Sequence, residues 1–420
     1  MYKAPRGTDD ILPEQQPYWR YVEETAAAVC KLFGYERMDT PIFEDAGLFV
    51  RSVGEGSDIV DKEMYSFEDR GSDRLTLRPE GTASVCRAYL EHGMPNLPQP
   101  VRLYSARVPM FRYDRPQAGR YRQFHQFNVE AIGDADPPVD AEIIEVAWRF
   151  LERLGLKGLT LSLNSIGDPA CRPSYLEALR AYYAPHVSNL CPDCQKRFER
   201  NTLRLLDCKR ESCQPIADKA PASTDYLCSD CRAHWDSLKR YLKMLGIPFQ
   251  TNNRLVRGLD YYTRTVFEVQ PPEEKAQAAI AGGGRYDGLI QQLGGRPTPG
   301  VGFAAGFERI ILNLRRQGVT VPASPPPEYF VAYLGEVAKA EAVRLASAIR
   351  VAGRTAVLAS GRSLRGQLRQ ANALQATKAI VIGEDELARK VVKFKELATG
   401  EEKEIEAERF ISFVTGAETK

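Results

Sequence analysis

The pattern of apolar and polar positions predicts a chain of mixed helices and strands. Apolar residues recur at helical spacing over residues 14–33 and 140–154, which predicts two amphipathic helices. Similar patterns place strands at 36–44, 75–78, 159–163, from 249, at 261–269 and at 279–288, and helices at 82–92 and up to about 316. A helical, cysteine-rich stretch interrupts this order over residues 169–245 and is interpreted as an insertion.

The clearest linker in the chain is the proline-rich segment VTVPASPPPE, residues 319–328, because proline stiffens such segments. Beyond it the pattern alternates, with strands predicted at 329–334, 354–359, 378–382 and 391–397 and helices at 338–351, 364–376 and 407–414. This alternation predicts a C-terminal α/β domain over residues 329–420. Residues 1–168 and 246–318 are then predicted to form one domain around the insertion.

Composition is ordinary for a globular protein, with 43% hydrophobic and 27% charged residues among 420. No apolar run approaches the length of a membrane span, and the N-terminal residues lack the apolar region of a signal peptide. A cytoplasmic location without membrane contact is therefore expected. Because the formal net charge is only +2, any contact with nucleic acid must come from local basic patches.

The most informative segment is FRYDRPQAGRYRQFHQF, residues 111–127, which carries Arg112, Arg115, Arg120 and Arg122 among aromatic residues. The Pro-Gln-Ala-Gly turn predicts two antiparallel strands joined by a loop, with cationic donors on the strands and further basic residues on the loop. A solvated basic hairpin is the alternative, but so many aromatic residues would make a poor solvent-facing surface. We therefore interpret the segment as a phosphate-binding site, since one guanidinium group can donate two hydrogen bonds to two oxygens of the same phosphate.

Three further motifs carry candidate chemistry. LVRGLDYY, residues 255–262, combines Arg257, a carboxylate and two tyrosines, which suits either a polar ligand or plain structural packing. AGGGRYD, residues 281–287, places three glycines in a strand, which indicates close approach of a ligand or backbone, and it matches neither dinucleotide nor P-loop fingerprints. Arg309 stands in the first turn of a predicted helix, where a cation opposes the helix dipole and so favours an anionic ligand.

Six of the nine cysteines lie within the insertion, as Cys191-x2-Cys194, Cys208-x4-Cys213 and Cys228-x2-Cys231. Paired CxxC units in a cytosolic protein indicate structural zinc, yet six candidates exceed the four ligands of one tetrahedral site. Structural zinc and free thiols therefore both stay open. No catalytic metal ligand is assigned, because such paired knuckles would form a closed site.

These motifs together resemble the histidyl-tRNA synthetases, a class II aminoacyl-tRNA synthetase family, over essentially the whole chain. Pro41 and Glu44 match the first class motif, residues 111–127 the second, and residues 306–309 the third, with Phe307 where leucine is usual. LVRGLDYY and AGGGRYDGL resemble the two peptides specific to the histidine enzymes. The resemblance implies an α+β catalytic domain on an antiparallel sheet and a C-terminal anticodon-binding α/β domain.

The resemblance also implies a role for each matching residue. Glu80 and Thr82 would hold the amino group of histidine, with Gly81 between them also in the histidine site. Gln126 would contact the substrate, and Glu130 and Tyr262 would face its imidazole beside Tyr261. Arg112 and Arg120 would bind the α- and outer phosphates of ATP, and Arg309 the far end of the nucleotide. Arg257 would bridge the histidine carboxylate and the α-phosphate, so Arg112 and Arg257 are the expected catalytic residues. Arg115 and Gln117 would contact the acceptor end of the tRNA.

The implied reaction joins L-histidine to its tRNA through a histidyl-adenylate, with ATP and Mg²⁺ and with release of pyrophosphate and AMP. A homodimer is implied by the family, and no editing domain is expected. Two rivals stay open: a synthetase-like regulatory subunit of histidine biosynthesis, and an RNA-binding module with zinc knuckles. Arg257 and the domain after the linker favour the synthetase, because regulatory relatives tend to lack both.

Overall fold

The computed structural model describes residues 2–54, 59–113, 115–116, 120–272, 279–361 and 363–415. The chain divides into two compact units, Met1–Pro322 and Ala323–Lys420. The division falls inside the proline-rich segment that the sequence predicts as a linker. In the described part of the chain, no helix is both long and apolar enough to cross a membrane.

The first unit contains eleven strands and ten α-helices within its described residues. The strands are β1 (Glu36–Arg37), β2 (Phe43–Asp45), β3 (Tyr65–Glu68), β4 (Arg74–Leu77), β5 (Val101–Phe111), β6 (Gln123–Ile132), β7 (Thr160–Ser165), β8 (Phe249–Thr251), β9 (Thr263–Gln270), β10 (Ala281–Arg285) and β11 (Gly300–Gly306). The helices are α1 (Gln16–Leu32), α2 (Ala46–Val53), α3 (Thr82–Glu91), α4 (Pro137–Arg153), α5 (Arg172–Tyr183), α6 (Pro192–Arg200), α7 (Gln214–Ala217), α8 (Ser229–Met244), α9 (Leu289–Gln292) and α10 (Phe307–Arg316). Single turns occur at Ile59–Glu63, Met94–Asn96, Ala184–Asn189, Thr202–Leu205 and Ser223–Tyr226.

The main sheet has eight strands in the order β1-β5-β6-β11-β10-β9-β7-β8. Its six central strands pair antiparallel, and only the edge pairs β1·β5 and β7·β8 are parallel. The predicted α+β domain on an antiparallel sheet is thus confirmed, with parallel pairs added at both edges. Strands β2, β4 and β3 form a separate small sheet.

The two faces of the main sheet have different partners. Alternate residues of β6, such as Phe127 and Val129, enter a large core with helices α1, α4, α8 and α10. Successive side chains of a strand point to opposite faces, so Gln126, Asn128 and Glu130 lie on the other side. That second face therefore presents polar groups, and it carries the candidate site.

The strand prediction for the arginine-rich segment was wrong in its placement. β5 and β6 do pair antiparallel, but they run over Val101–Phe111 and Gln123–Ile132, so all four arginines lie in the connection between them. Buried and half-buried positions alternate along β5, apart from an irregularity at Ser105–Ala106, and β5 ends at Phe111, beyond which the chain leaves the sheet. The arginines are thus held at the end of the strands, where a ligand has room to approach.

The second unit is an α/β domain, as the alternating pattern predicts. It contains β12 (Tyr329–Tyr333), α11 (Glu336–Val351), β13 (Ala356–Leu358), α12 (Leu364–Ala373), β14 (Lys378–Ile382), α13 (Glu384–Ala388), β15 (Val391–Glu396), β16 (Glu402–Glu406) and α14 (Phe410–Thr415). Its sheet order is β13-β12-β14-β15-β16, parallel up to β14 and antiparallel beyond. The sequence analysis missed β16, because its charged, largely exposed residues show no alternation of apolar positions.

Candidate active site

A cavity of about 330 Å³ opens on the polar face of the main sheet. That volume falls in the range of small-molecule sites. Four arginines from separate parts of the chain line it, together with two carboxylates: Arg112, Arg120, Arg257, Arg309, Glu268 and Glu308. Cations outnumber anions in this lining, so the cavity suits a ligand with several negative charges.

Small residues in adjacent strands form the floor of this arginine cavity. The strand register places Ala304 of β11 beside Gly282 of β10, and Gly282 beside Glu268 of β9. A Cβ atom on Gly282 would lie 2.7 Å from Nη1 of Arg257, closer than side chains approach. The first glycine of the AGGGRYD motif therefore leaves the space that the Arg257 guanidinium occupies, which agrees with the close approach predicted there.

Arg257 is held on two sides and leaves one nitrogen unpaired. Its Nη1 donates to Oε1 of Glu268 at 2.6 Å, and its guanidinium lies 5.5 Å from the centre of the Tyr262 ring. Burial opposes the charge, but Tyr262 and Glu268 outweigh it and raise the pKa of Arg257 above its ordinary value. Its buried Nε has no hydrogen-bond partner among the described residues. This donor is therefore free to bind an anionic group that enters the cavity.

Arg112 approaches the same cavity from the end of β5. Its Nε donates to the carbonyl oxygen of Pro79 at 2.8 Å, and the guanidinium lies 5.7 Å from the centre of the Phe124 ring. Burial lowers the pKa of Arg112, although arginine remains charged at neutral pH. Close by on β6, the buried Oε1 of Gln126 also lacks a partner within the described ranges. The cavity thus offers an unmatched donor and an unmatched acceptor.

The outer arginines come from the connection after β5 and from α10. Arg309, the third residue of α10, donates from Nη1 to the carbonyl oxygen of Ala279 at 2.9 Å. Nη2 of Arg120 lies 3.9 Å from a carboxylate oxygen of Glu63. His125 is the histidine of the arginine-rich segment. Its Nδ1 lies 2.8 Å from Oε1 of Glu308, and the residue does not line the cavity. A structural role for His125 agrees with that contact.

Beside the cavity lies a buried cluster of two carboxylates and their hydroxyl partners, which we call the Glu80–Glu130 cluster. Glu80 accepts from the backbone N–H groups of Thr82 and Ala83 at 2.7 and 2.9 Å and from the Tyr261 hydroxyl at 3.3 Å. Glu130 accepts from the Thr82 hydroxyl at 2.7 Å and from the hydroxyl of Tyr286 at 2.6 Å. Each carboxylate oxygen in the cluster therefore has a partner from the chain itself.

Burial sets the charge of Glu130. Only 2% of its surface is exposed, and burial raises its pKa from 4.5 to about 8, against the opposing hydrogen bonds from Tyr286 and Thr82. A Cβ atom on Gly302, the residue opposite on β11, would overlap the Glu130 carboxylate. Glycine at that position is therefore what admits the carboxyl group. Burial therefore favours the protonated form of Glu130 near neutral pH.

Stability should depend on pH through Glu130. The folded state keeps a proton that the unfolded chain releases above about pH 4.5, so unfolding free energy falls as the pH rises from there to about 8, by a few kcal/mol. In Glu130→Gln, which mimics the protonated form, this slope should flatten. Urea unfolding followed by tryptophan fluorescence from pH 5.5 to 8.5 would measure it. Glu142→Gln, on α4 outside the cluster, is the matched control, and equal slopes in all three proteins would contradict the expectation.

The structure separates the predicted site residues into two adjoining groups. Arg112, Arg120, Gln126, Arg257 and Arg309 line the cavity. The others lie beside it and are buried except for the half-buried Thr82: Glu80, Gly81, Thr82, Glu130, Tyr261 and Tyr262. Tyr262, predicted to face the imidazole together with Glu130, has its ring centre 5.5 Å from the guanidinium carbon of Arg257. Arg115 is exposed and outside the cavity lining, and Gln117 lies outside the described residues.

Sequence reasoning missed Tyr286, the hydroxyl partner of Glu130. The residue follows the three glycines in AGGGRYD, and the motif was interpreted only through those glycines. Tyr286 is 1% exposed, and its ring centre lies 6.0 Å from that of Tyr261. A tyrosine so close to a glycine run in a strand could have been chosen as a hydroxyl donor, since buried tyrosine needs a polar partner.

Comparison with known proteins decides the family. The family model for histidyl-tRNA synthetase matches residues 7–310, and the one for an anticodon binding domain matches residues 328–416. The chain belongs to the histidyl-tRNA synthetase family. The histidine–tRNA ligase of Dehalococcoides mccartyi is 62% identical over 388 residues, covering 92% of this chain and 93% of that protein.

Two solved structures have the same fold as this chain, one at high and one at low sequence identity. The crystal structure of apo S. aureus histidyl-tRNA synthetase has 40% identity and a TM-score of 0.82, and the match covers 99% of this chain and 100% of that one. A Bacillus halodurans structure described as an ATP phosphoribosyltransferase regulatory subunit/histidyl-tRNA synthetase has 22% identity and a TM-score of 0.64, covering 91% of this chain and 98% of that one. At that identity only the fold is shared, so residues of the site must separate the two activities.

Proposed function

We propose that this protein ligates L-histidine to its cognate tRNA with ATP, through a histidyl-adenylate. The observation that carries the proposal is the meeting of Arg112 and Arg257 in one cavity, although 145 positions separate them in the chain. A carboxylate and a triphosphate repel each other until fixed cations neutralise them. Guanidinium groups held in place before the reaction supply that stabilisation without reorganising.

In the first step, a carboxylate oxygen of histidine attacks the α-phosphorus and pyrophosphate leaves. Arg257, with its Nε unpaired and its charge reinforced by Glu268, bridges the two anions at the reacting centre. Arg112 stabilises the charge that builds on the α-phosphate oxygens. Arg120 and Arg309 bind the rest of the nucleotide at the outer side of the cavity. In the second step a ribose hydroxyl of the terminal adenosine of the tRNA attacks the activated carbonyl and AMP leaves.

The donor set fits Mg²⁺ as a companion of ATP. Mg²⁺ favours oxygen ligands and is commonly bound by one or two carboxylates together with substrate phosphates. Glu268 lines the cavity and accepts a hydrogen bond from Arg257 through one oxygen, while among the described residues its second oxygen accepts a long hydrogen bond from the amide of Gln270 at 3.4 Å. That second oxygen is the group we assign to the metal. When bound, Mg²⁺ would neutralise charge on the outer phosphates.

Selection of histidine is assigned to the Glu80–Glu130 cluster. When histidine binds, hydrogen bonds to the substrate would replace hydrogen bonds within the cluster. The amino group would bind Glu80 and Thr82, and the imidazole would bind Glu130 beside Tyr261 and Tyr262. An apolar amino acid would break the same internal bonds without replacing them, so it would leave buried polar groups unpaired. That penalty makes a separate editing site unnecessary.

The remaining contacts are with tRNA. The exposed Arg115, with Gln117 beyond it in the same connection, is assigned to the acceptor end, and the second unit to the anticodon. A homodimer and a cytoplasmic location complete the proposal. Ile42 and Phe43, in the segment that resembles the first class motif, are 44% and 51% exposed, which supports a protein surface covering them.

Histidine-dependent exchange of pyrophosphate into ATP, together with charging of histidine tRNA, tests the function. We expect both activities in the wild type, whereas a regulatory subunit would bind histidine without exchange.

In Glu130→Ala the KM for histidine should rise by about tenfold or more and the KM for ATP should change much less, because only the amino-acid pocket loses a group.

Glu142→Ala offers a matched control for this split, since Glu142 pairs with Arg102 outside the cavity and the cluster. It should leave both KM values near those of the wild type. Equal rises in the two KM values of Glu130→Ala would remove Glu130 from histidine recognition, while leaving the ligase activity itself standing.

A further inference from the structure

Four cysteines of the insertion converge at one point, and we call them the cysteine quartet. The sulfur atoms of Cys191, Cys194, Cys208 and Cys213 all lie within 4.8 Å of one another. Those of Cys191 and Cys208 are 3.9 Å apart, and three of the four residues are buried. Neighbouring sulfurs on a tetrahedral zinc are about 3.8 Å apart, given a Zn–S distance of about 2.3 Å. The quartet has the dimensions of that site.

Local structure explains how the quartet is assembled. Cys191 is the residue just before α6 and Cys194 lies in its first turn, so the CxxC unit brings both sulfur atoms to the same side of the helix start. Cys213 caps the start of α7, and its sulfur accepts a hydrogen bond from the backbone N–H of Cys191 at 3.3 Å. This hydrogen bond joins the start of α7 to the start of α6 and holds the two halves of the quartet together.

A second group forms independently from residues that do not belong to the quartet. The ligand atoms of Asp168, Cys171, Cys228 and Cys231 also lie within 4.8 Å of one another. Cys228 caps α8 and Cys231 lies in its first turn, which repeats the construction at α6. Oδ1 of Asp168 lies 3.6 Å from Sγ of Cys171, while its Oδ2 is 3.2 Å from Nη2 of Arg264, as expected for a carboxylate ligand fixed by a second partner.

The two groups resolve the excess of candidates in the sequence. Six clustered cysteines are too many for one tetrahedral site, and the structure divides them into four and two. Cys171 and Asp168, which precede the clustered cysteines in the chain, complete the second set. We propose that the cysteine quartet binds one structural Zn²⁺ and that Asp168, Cys171, Cys228 and Cys231 bind another. Both sites are closed by four protein ligands and take no part in the chemistry.

The first zinc would support the segment that carries Arg257. Next to the quartet, Asn201 donates from its amide to Asp260 at 2.9 Å, and Arg204 donates to the carbonyl oxygen of Gly258 at 3.3 Å. These bonds join the insertion to LVRGLDYY. Cys191 and Cys208 also border a larger cavity of about 750 Å³ that they share with Arg112 and Arg309. A metal that fixes the quartet therefore fixes one wall of the space beside the active site.

Zinc content of the full-length protein tests both sites. Protein expressed in zinc-supplemented medium and dialysed against metal-free buffer should contain about two zinc ions per chain. Cys194→Ser should lose the ion of the quartet and Cys231→Ser the other, so each variant should retain about one. Cys30→Ser, which changes a buried cysteine of α1 outside both groups, is the matched control and should keep both.

Wild-type measurements keep the proposal testable if a serine variant fails to fold. Exchange of the metal for Co²⁺ should give the thiolate charge-transfer and visible bands of a tetrahedral site. Zinc well below one ion per chain, or disulfides within the quartet by mass spectrometry of the unreduced protein, would overturn the first site. If the wild type contains only one zinc ion per chain, and Cys194→Ser loses that ion while Cys231→Ser keeps it, only the second site would be overturned.

Discussion

Replacing Arg257 with alanine is expected to lower the rate of histidine-dependent pyrophosphate exchange by about 10²- to 10³-fold, the usual cost of removing one fixed charge from a reacting centre. The affinity for ATP should change only a few-fold, because Arg112, Arg120 and Arg309 still line the cavity. Loss of a group that acts mainly in the transition state appears in kcat rather than in binding. Exchange kinetics and a direct ATP-binding measurement separate these effects.

The control for Arg257 is an arginine with similar surroundings outside the cavity. Arg102 forms an ion pair with Glu142 at 2.8 Å and is 31% exposed, compared with 20% for Arg257. Arg102→Ala should therefore exchange pyrophosphate at nearly the wild-type rate. Arg257→Lys keeps the charge but loses the planar fork, so its rate should fall between those of wild type and alanine. Wild-type exchange in Arg257→Ala would remove this residue from the reacting centre.

Local sequence patterns were sufficient to predict elements whose structure depends mainly on their own residues. The amphipathic helices predicted at 14–33 and 140–154 appear as α1 and α4, and the proline-rich linker contains the division between the two units. The arginine hairpin was placed on strands because its residues alternate. The structure holds those residues beyond the strands, where alternation carries no information about a sheet face.

The site could be predicted only as far as short motifs reach. Arg112 and Arg257 were assigned together through a family resemblance, since their meeting depends on the strand order β6-β11-β10-β9, which no local pattern reveals. The partnership of Glu130 with Tyr286 has the same origin, because 156 positions separate the two residues. The division of the cysteines likewise depends on Asp168 and Cys171, whose spacing from Cys228 matches no short motif.

The two signature peptides each contribute one arginine, and the structure gives these arginines opposite roles. Arg257 reaches the cavity, whereas Arg285 of AGGGRYD is fully buried and pairs with the buried carboxylate of Asp140. Arg285 also donates to the carbonyl oxygen of Asp134 at 2.9 Å and lies 3.1 Å from Asp287. Its neighbour Tyr286 donates its hydroxyl to Glu130, so this ion cluster anchors a residue that supports the Glu80–Glu130 cluster.

Replacing Arg285 with methionine is therefore expected to lower the free energy of unfolding of the first unit by about 3–5 kcal/mol, because Asp140 would keep a buried charge without its cation. Burial alone would raise the pKa of Asp140, but Arg285, with His234, lowers it from 3.8 to about 2. The stabilisation is present above about pH 4 and is lost as the pH falls towards 2, so the difference from wild type should narrow in acid.

Urea unfolding followed by tryptophan fluorescence measures the loss in the first unit alone, because all three tryptophans, Trp19, Trp148 and Trp235, belong to it. Arg149→Met carries the same change at an exposed arginine that pairs with Glu145 and Glu152, and it should cost less than about 1 kcal/mol. Equal losses in the two variants would mean that the buried cluster contributes no more than a surface ion pair.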